Sequence, residues 1–165
     1  MFDSPASAIL LCIGFAVLLC ISISDFRTKE IPNVLLFVFF VLAVIFTVLD
    51  RATVWQSHIF GCAVGYFPLL LIRIIGGKVE KREVMGAGDA YLSGIIGLYF
   101  GIVKFLICGM TACIAAFIAI RILRKKKNYG KAHTYPFAPF FLIGYAVSVL
   151  LGDLIFEKLI LLIMG

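Results

Sequence analysis

Charged side chains are scarce in this 165-residue chain. Asp, Glu, Lys and Arg together make up 15% of the residues, whereas 63% are hydrophobic. A soluble domain of this length would expose far too much apolar surface, so lipid must be the solvent for most of the chain. The composition therefore excludes an ordinary soluble globular protein, and the length suits one domain over residues 1–165.

Paired cysteines are absent as well. All five cysteines lie inside apolar stretches and none forms a CxxC pair; they are Cys12, Cys20, Cys62, Cys108 and Cys113. This placement is typical of small buried hydrophobic residues and indicates neither a disulfide framework nor a zinc site. No metal-ligand constellation and no GK[ST] phosphate-binding sequence is visible, so we expect neither a metal nor a cofactor.

Uncharged runs recur along the chain. They cover residues 4–24, 31–49, 52–72, 90–103, 105–120 and 134–152. The first run lacks the basic residues and cleavage site of a signal peptide, which favours a retained transmembrane helix. One helix over residues 90–120 would overshoot a bilayer core about 30 Å thick by about half, so we interpret this region as two helices joined by a hairpin at "YFGIVK". The sequence predicts an all-α polytopic membrane protein with six transmembrane helices.

Basic residues are unevenly distributed among the predicted connections. Three of the fifteen, Arg51, Lys104 and Lys158, fall on one side, and the others fall in the first, third and fifth connections. The positive-inside rule then places the odd connections in the cytoplasm and both termini outside. The net charge of +6 is interpreted as a topological signal, not as a nucleic-acid-binding surface.

Two aspartates fall at the cytoplasmic boundary in this topology. Asp25 ends the first helix in "SISDFRTKEIPN", and Asp89 begins the fourth in "VMGAGDAYLSGIIGLYFG". A charge at membrane depth costs about 2.5 kcal/mol or more, so each aspartate is either a boundary residue or a working group. Taken singly, Asp89 fits an N-cap and Asp25 an ordinary interfacial charge.

As a pair, the two aspartates are the minimum requirement for aspartic-type hydrolysis. One carboxylate must be ionised to take a proton from water, and the other must be protonated to donate to the carbonyl oxygen. Like charges a few Å apart do not both ionise cheaply, so such a pair shares one proton. Gly86 and Gly88 would let a substrate backbone approach closely, and Pro32 would fix the start of the second helix.

Three segments of the sequence resemble the prepilin peptidases, intramembrane aspartic peptidases with a GxGD motif that process type IV pilin-like precursors. They are "SDFRTKEIPN", "MGAGDAYLSGIIGLYFG" and "YPFAPFFLIGY", in that order, and the resemblance extends over the whole chain. It implies that Asp25 and Asp89 are the catalytic pair. The substrate-binding or site-shaping positions in the matching motifs are Gly86, Gly88, Arg27, Pro32, Asn33, Pro136, Phe137 and Pro139.

The resemblance also implies a reaction. Family members cut the basic leader of a prepilin-like precursor on the cytoplasmic side of the cell membrane, just before the hydrophobic helix of the substrate. The expected partners are such precursors and the lipid bilayer, and a homo-oligomer is left open. Longer members methylate the new N-terminus and carry paired CxxC motifs, which are missing here, so methylation is not expected. The chain looks like the short form found with Flp-type or tight-adherence pili, or with archaeal pilin and archaellin precursors.

Other interpretations of the same residues remain open. Presenilins and signal peptide peptidases also use GxGD, but their first aspartate follows a tyrosine, whereas Ser24 precedes Asp25 here. A small ion- or proton-coupled transporter would use both aspartates as cation sites, although near mid-bilayer and not at one boundary. Trp55 and His58 fit interfacial anchors or packed polar groups, and "YPFAPFF" fits an aromatic belt.

Two segments have less definite expectations. The connection from Gly76 to Gly88 has glycine at both ends and charges between, which predicts a flexible loop able to close over a substrate. Residues 153–165 either extend the last helix or lie in the membrane interface.

Overall fold

The part of the chain that the structure describes folds into five helices. The computed structural model describes residues 5–50, 53–80, 85–126 and 136–164, and within these ranges the chain forms no strand. The helices are α1 (Pro5–Thr28), α2 (Asn33–Leu49), α3 (Trp55–Glu80), α4 (Ala87–Lys126) and α5 (Ala138–Met164). The predicted all-α class is confirmed.

Three of the helices contain segments long and apolar enough to cross a membrane. These segments are Ala6–Thr28, Trp55–Lys78 and Ala87–Ile122, and two shorter apolar helices cover Asn33–Leu49 and Ala138–Gly152. A chain with so many apolar helices is an integral membrane protein. The number of crossings and the side on which the termini lie stay predictions.

Gly101 divides α4 into two helical segments. Its backbone angles, φ 71° and ψ 174°, lie in a region that glycine adopts far more easily than other residues. Ser93 before the break and Phe105 after it both lie against Gly65 of α3. The chain therefore turns back on itself at Gly101, inside the "YFGIVK" stretch where the sequence predicts a hairpin. We call residues 87–126 the α4 hairpin.

Contacts with α5 show independently that the second segment of the α4 hairpin, residues 102–126, runs opposite to the first segment. The Ser148 hydroxyl donates a hydrogen bond of 2.9 Å to the Lys104 carbonyl oxygen. Cys108 follows Lys104 by one turn of α4, and it packs against Gly144. Gly144 precedes Ser148 by one turn of α5. Residues 102–126 therefore run antiparallel to α5, back toward the end of the bundle where α5 begins.

Polar side chains satisfy the main chain where the hairpin turns. The Leu98 carbonyl oxygen accepts hydrogen bonds from the Thr47 hydroxyl at 3.1 Å and from His58 Nδ1 at 2.8 Å. The Ile102 N–H donates to the Ser57 hydroxyl at 3.2 Å. These bonds replace the helical bond that the break at Gly101 removes. His58 is fully buried, so it is a packed polar group, whereas Trp55 is 62% exposed, as an interfacial anchor would be.

A seam of small residues joins α3 to the first segment of the α4 hairpin. A methyl group added to Gly61 or to Gly97 would overlap the main chain of the other glycine, and one added to Gly65 would overlap the Ser93 carbonyl. Small residues four apart let two helix backbones approach this closely, which is a common way to pack helices in membranes. The seam fixes the position of α4 along the axis of α3.

Tyr99 connects the first segment of the hairpin to three other elements. The residue is fully buried, and its hydroxyl donates a 2.6 Å hydrogen bond to the Leu10 carbonyl of α1. Its ring stacks on Phe46 of α2 at a centroid distance of 4.6 Å and meets Tyr145 of α5 edge-on at 5.9 Å. The first segment of the hairpin is therefore the central helix of the bundle.

Several helices are longer than the sequence predicts. Helix α1 continues to Thr28, which places Asp25 within its last turns. Helix α3 continues to Glu80, so residues 76–80 of the segment expected to be a flexible loop are helical. Helix α5 continues to Met164, so the tail extends the last helix. The uncharged runs underestimate the lengths of these helices, because each helix continues into a segment that contains charged residues.

We expect Gly97→Ala to destabilise the protein by about 1–3 kcal/mol, because the added methyl group forces α3 and α4 apart at their closest approach. Thermal unfolding in detergent measures the effect. The matched control is Gly109→Ala, where a methyl group meets only the Phe105 ring at 3.9 Å and helix propensity favours alanine. Equal stability of the two variants would contradict the seam.

Candidate functional site

Asp25 lies buried at the end of α1. Only 5% of the residue is exposed, and its Oδ2 accepts a hydrogen bond of 2.9 Å from the Ala138 main-chain N–H. The main-chain N–H of Phe137 also interacts with this carboxylate. The N-terminus of α5, which carries a partial positive charge, is therefore directed at Asp25.

The sequence around Ala138 explains why its N–H is available. The first N–H groups of a helix have no partner within the helix. In α5 the Phe137 carbonyl accepts the first helical bonds, from Phe140 at 3.1 Å and Phe141 at 3.4 Å. Pro139 has no N–H and occupies a position where none is needed. The Ala138 N–H is left to bond outside the helix, and Asp25 accepts it.

Asp89 lies in the first turn of α4 and is not its N-cap. The helix begins at Ala87, so Asp89 is the third helical residue, and the interpretation of Asp89 as the N-cap is wrong in position. Its carboxyl group interacts with the main-chain N–H of Gly86, as the third residue of a capping box does. Its Oδ1 is buried and has no hydrogen-bond partner among the described residues.

The fold brings these two aspartates together from distant parts of the sequence. The two side chains are near enough for the charge of Asp25 to act on the Asp89 carboxyl group. Asp25 and the Asp89 Oδ1 atom are buried, and the exclusion of water strengthens that interaction. Asp25 has two main-chain donors, whereas Asp89 has one, and its Oδ1 has no partner among the residues that the structure describes.

The turn between α1 and α2 packs beside Asp89. Lys29 adopts a left-handed conformation with φ 56°, and its N–H donates to the Asp25 main-chain oxygen at 2.9 Å, which ends α1. Two residues later, the Ile31 side chain lies against Gly88, where an added methyl group would come within 3.0 Å of Ile31 Cβ. The space at Gly88 is thus occupied by Ile31. Gly86 is exposed and leaves room beside Asp89.

The other residues predicted for the site lie around this centre. Pro136 is half-buried and immediately precedes Phe137. Pro32 is the N-cap of α2, and Asn33, its first residue, is exposed. Arg27 is exposed and lines a cavity of about 250 Å³ next to Asp25, together with Ser22, Ile23, Phe26 and Pro139.

Sequence reasoning missed two contributors to this centre. The Ala138 N–H was overlooked because a main-chain group carries no side-chain signature, although the prolines around it indicated a helix start. Ile31 was overlooked because an isoleucine in an apolar chain is not distinctive. Its position before Pro32 at the start of a helix was the available signal.

The centre has the composition of an acid–base site. In residues 5–50, 53–80, 85–126 and 136–164, no three His, Cys, Asp or Glu side chains cluster in a way that could hold a metal ion. What lies together is a pair of carboxyl groups in unequal surroundings beside an open glycine. Such a pair can take a proton from water with one member and donate a proton with the other.

Comparison with known proteins gives two matches. A relative named as a prepilin leader peptidase/N-methyltransferase, from Myxococcus xanthus (strain DK1622), is 36% identical over 45 residues, which are 27% of this chain and 13% of the relative. No solved structure matches the chain. The model of the type IV leader peptidase family matches residues 12–122, a range that contains both Asp25 and Asp89. By this match over most of its length, the chain belongs to the type IV leader peptidase family.

Proposed function

We propose that this protein is an intramembrane aspartic endopeptidase that removes the leader peptide from prepilin-like precursors, with Asp25 and Asp89 as its catalytic dyad. The observation that carries the proposal is that the charge of the buried Asp25 acts on Asp89, whose Oδ1 is also buried. The family match and the printed name of the relative support leader peptides as the substrate class.

The chemistry needs only these two groups and a water molecule. The ionised carboxyl group takes a proton from water, and the resulting hydroxide attacks the scissile carbonyl carbon. The protonated carboxyl group donates to the carbonyl oxygen as it becomes tetrahedral. A shared proton between paired carboxyl groups keeps one acid and one base available at the same pH.

The dyad is proposed to face the cytoplasm. The turn after α1, the start of α4 and the start of α5 all lie at the dyad's end of the bundle, and most of the basic residues lie in the connections and helix ends next to them. Basic connections stay on the cytoplasmic side of a membrane. A precursor with a basic leader would present its cleavage site on that same side.

The precursors are proposed to be Flp-type or tight-adherence pilins, or archaeal pilins and archaellins. The chain carries no CxxC pair. For that reason our proposal does not include the N-methyltransferase activity that appears in the name of the relative. A cation-coupled transporter is the alternative function, and it would require ion movement that depends on both aspartates and no peptide cleavage.

We expect Asp25→Asn and Asp89→Asn each to reduce leader cleavage of a co-expressed prepilin by about 10²–10⁴-fold, because each variant loses one proton-transfer group. Immunoblotting of precursor and mature pilin, with the membrane fraction as a check on insertion, measures the effect. Asp50→Asn is the matched control, since Asp50 lies near His58, away from the dyad, and should leave cleavage unchanged. Full cleavage by either dyad variant would refute the proposed mechanism.

We also expect cleavage by the purified protein to persist in EDTA, because carboxyl groups activate water without a metal ion. The measurement is the initial rate of leader release from a precursor in detergent, with and without the chelator. Loss of activity that a divalent cation restores would contradict an aspartic mechanism.

A further inference from the structure

We propose that the two aspartates hold fixed and different roles: Asp25 is the ionised base that takes the proton from water, and Asp89 is the acid that donates to the carbonyl oxygen. This assignment rests on the proposed function. It is carried by the start of α5, whose main-chain N–H groups at Ala138 and Phe137 act as positioning groups for Asp25.

Burial of Asp25 opposes ionisation, but the main-chain donors beside it favour the ionised form, and Asp89 has fewer of them. A main-chain N–H can donate a hydrogen bond but cannot accept one, so the Asp25 oxygen 2.9 Å from the Ala138 nitrogen must be an acceptor. Donors of this kind bond more strongly to a carboxylate than to a neutral acid. The partial positive charge of the α5 N-terminus acts in the same direction.

The surroundings of Asp89 favour its neutral form. Its buried Oδ1 has no hydrogen-bond partner among the described residues, and an unpartnered charged oxygen is costlier to bury than a neutral hydroxyl group. The negative charge of Asp25 opposes a second charge at this position. One main-chain group, the Gly86 N–H, favours the ionised form of Asp89, against two such groups at Asp25.

Among the described residues, Asp25 is the one charged side chain that is found to act on Asp89, and none is found to act on Asp25. The groups that act on Asp25 are its burial and the Ala138 and Phe137 main chains. Those that act on Asp89 are its burial, Asp25 and the Gly86 main chain. Arg27, Lys29 and Glu30, near the end of α1, are exposed, so solvent screens their charges.

The assignment gives a cycle that returns both groups to their starting state. Asp25 takes a proton from water while the hydroxide forms a bond to the carbonyl carbon and Asp89 gives its proton to the carbonyl oxygen. Asp25 then passes its proton to the amide nitrogen as the C–N bond breaks. Asp89 takes a proton back from the tetrahedral carbon's hydroxyl group as the carbonyl group of the new C-terminus re-forms. Water and peptide bond are consumed, and the dyad is unchanged.

Backbone ester substitution tests the assignment one N–H at a time. Ala138→lactate and Phe137→phenyllactate, introduced by nonsense suppression, each replace one main-chain N–H with oxygen and keep the side chain. Neither N–H is used within α5, so the helix keeps its own N–H donors. The measurement is the pH profile of kcat/KM for leader cleavage, in which the acid limb reports the base and the alkaline limb the acid.

We expect each ester to move the acid limb upward by about one pH unit and to leave the alkaline limb in place. Loss of a donor to a charged group disfavours the ionised form of Asp25, so a higher pH is needed to generate the base. Phe141→phenyllactate is the matched control, because it removes an N–H that donates to Phe137 within the helix, and its limbs should stay where they are.

Three results would overturn the assignment. They are movement of the alkaline limb alone, an unchanged acid limb in both ester proteins, and equal shifts in the Phe141 control. A purely structural role for the α5 start would lower activity at every pH without moving a limb. Failure of the proposed function is distinguishable, because the unsubstituted protein would then cleave no leader at any pH.

Discussion

A buried carboxylate requires hydrogen-bond donors, and in this protein the first turn of α5 supplies them to Asp25. That interaction links the end of α1 to the start of α5, two elements far apart in the sequence. A water-exposed aspartate would need no such partner, and a helix start facing solvent would bond to water. Because Asp25 and Ala138 are both buried, the Asp25 carboxylate and the Ala138 N–H satisfy each other's hydrogen-bonding requirement. The position of Asp25, and so of the site around it, depends on this contact.

The rest of the bundle serves to bring Asp89 to the same place. Glycines let α3 and the α4 hairpin approach closely, and the reversal at Gly101 is secured by Thr47, Ser57 and His58 at the far end. Tyr99 holds the first segment of the hairpin at the centre of the other helices. The polar groups thus gather at the two ends of the bundle, one set structural and the other proposed to be catalytic, with apolar packing between them.

Much of this arrangement was accessible from the sequence. Apolar runs predicted the helices, since hydrocarbon admits few other conformations, and their lengths predicted a reversal in "YFGIVK". The distribution of basic residues predicted that Asp25 and Asp89 lie at the same end of the bundle. The helix ends were predicted less well: α1, α3 and α5 all continue past their apolar runs, because a helix does not stop where the membrane does. Asp89 was misplaced as an N-cap for the same reason.

The sequence by itself determined the membrane class and the helical architecture, and it proposed the two aspartates as the site, because composition and motif order are local properties. Only the tertiary structure decided how these aspartates differ. The donors to Asp25 are main-chain groups 112 and 113 residues away, and the lack of a partner for Asp89 Oδ1 among the described residues depends on which side chains pack around it. Neither the main-chain donors nor the packing around Asp89 can be read from the identities of the side chains. The difference between the surroundings of Asp25 and Asp89 arises from packing, which a linear pattern does not contain.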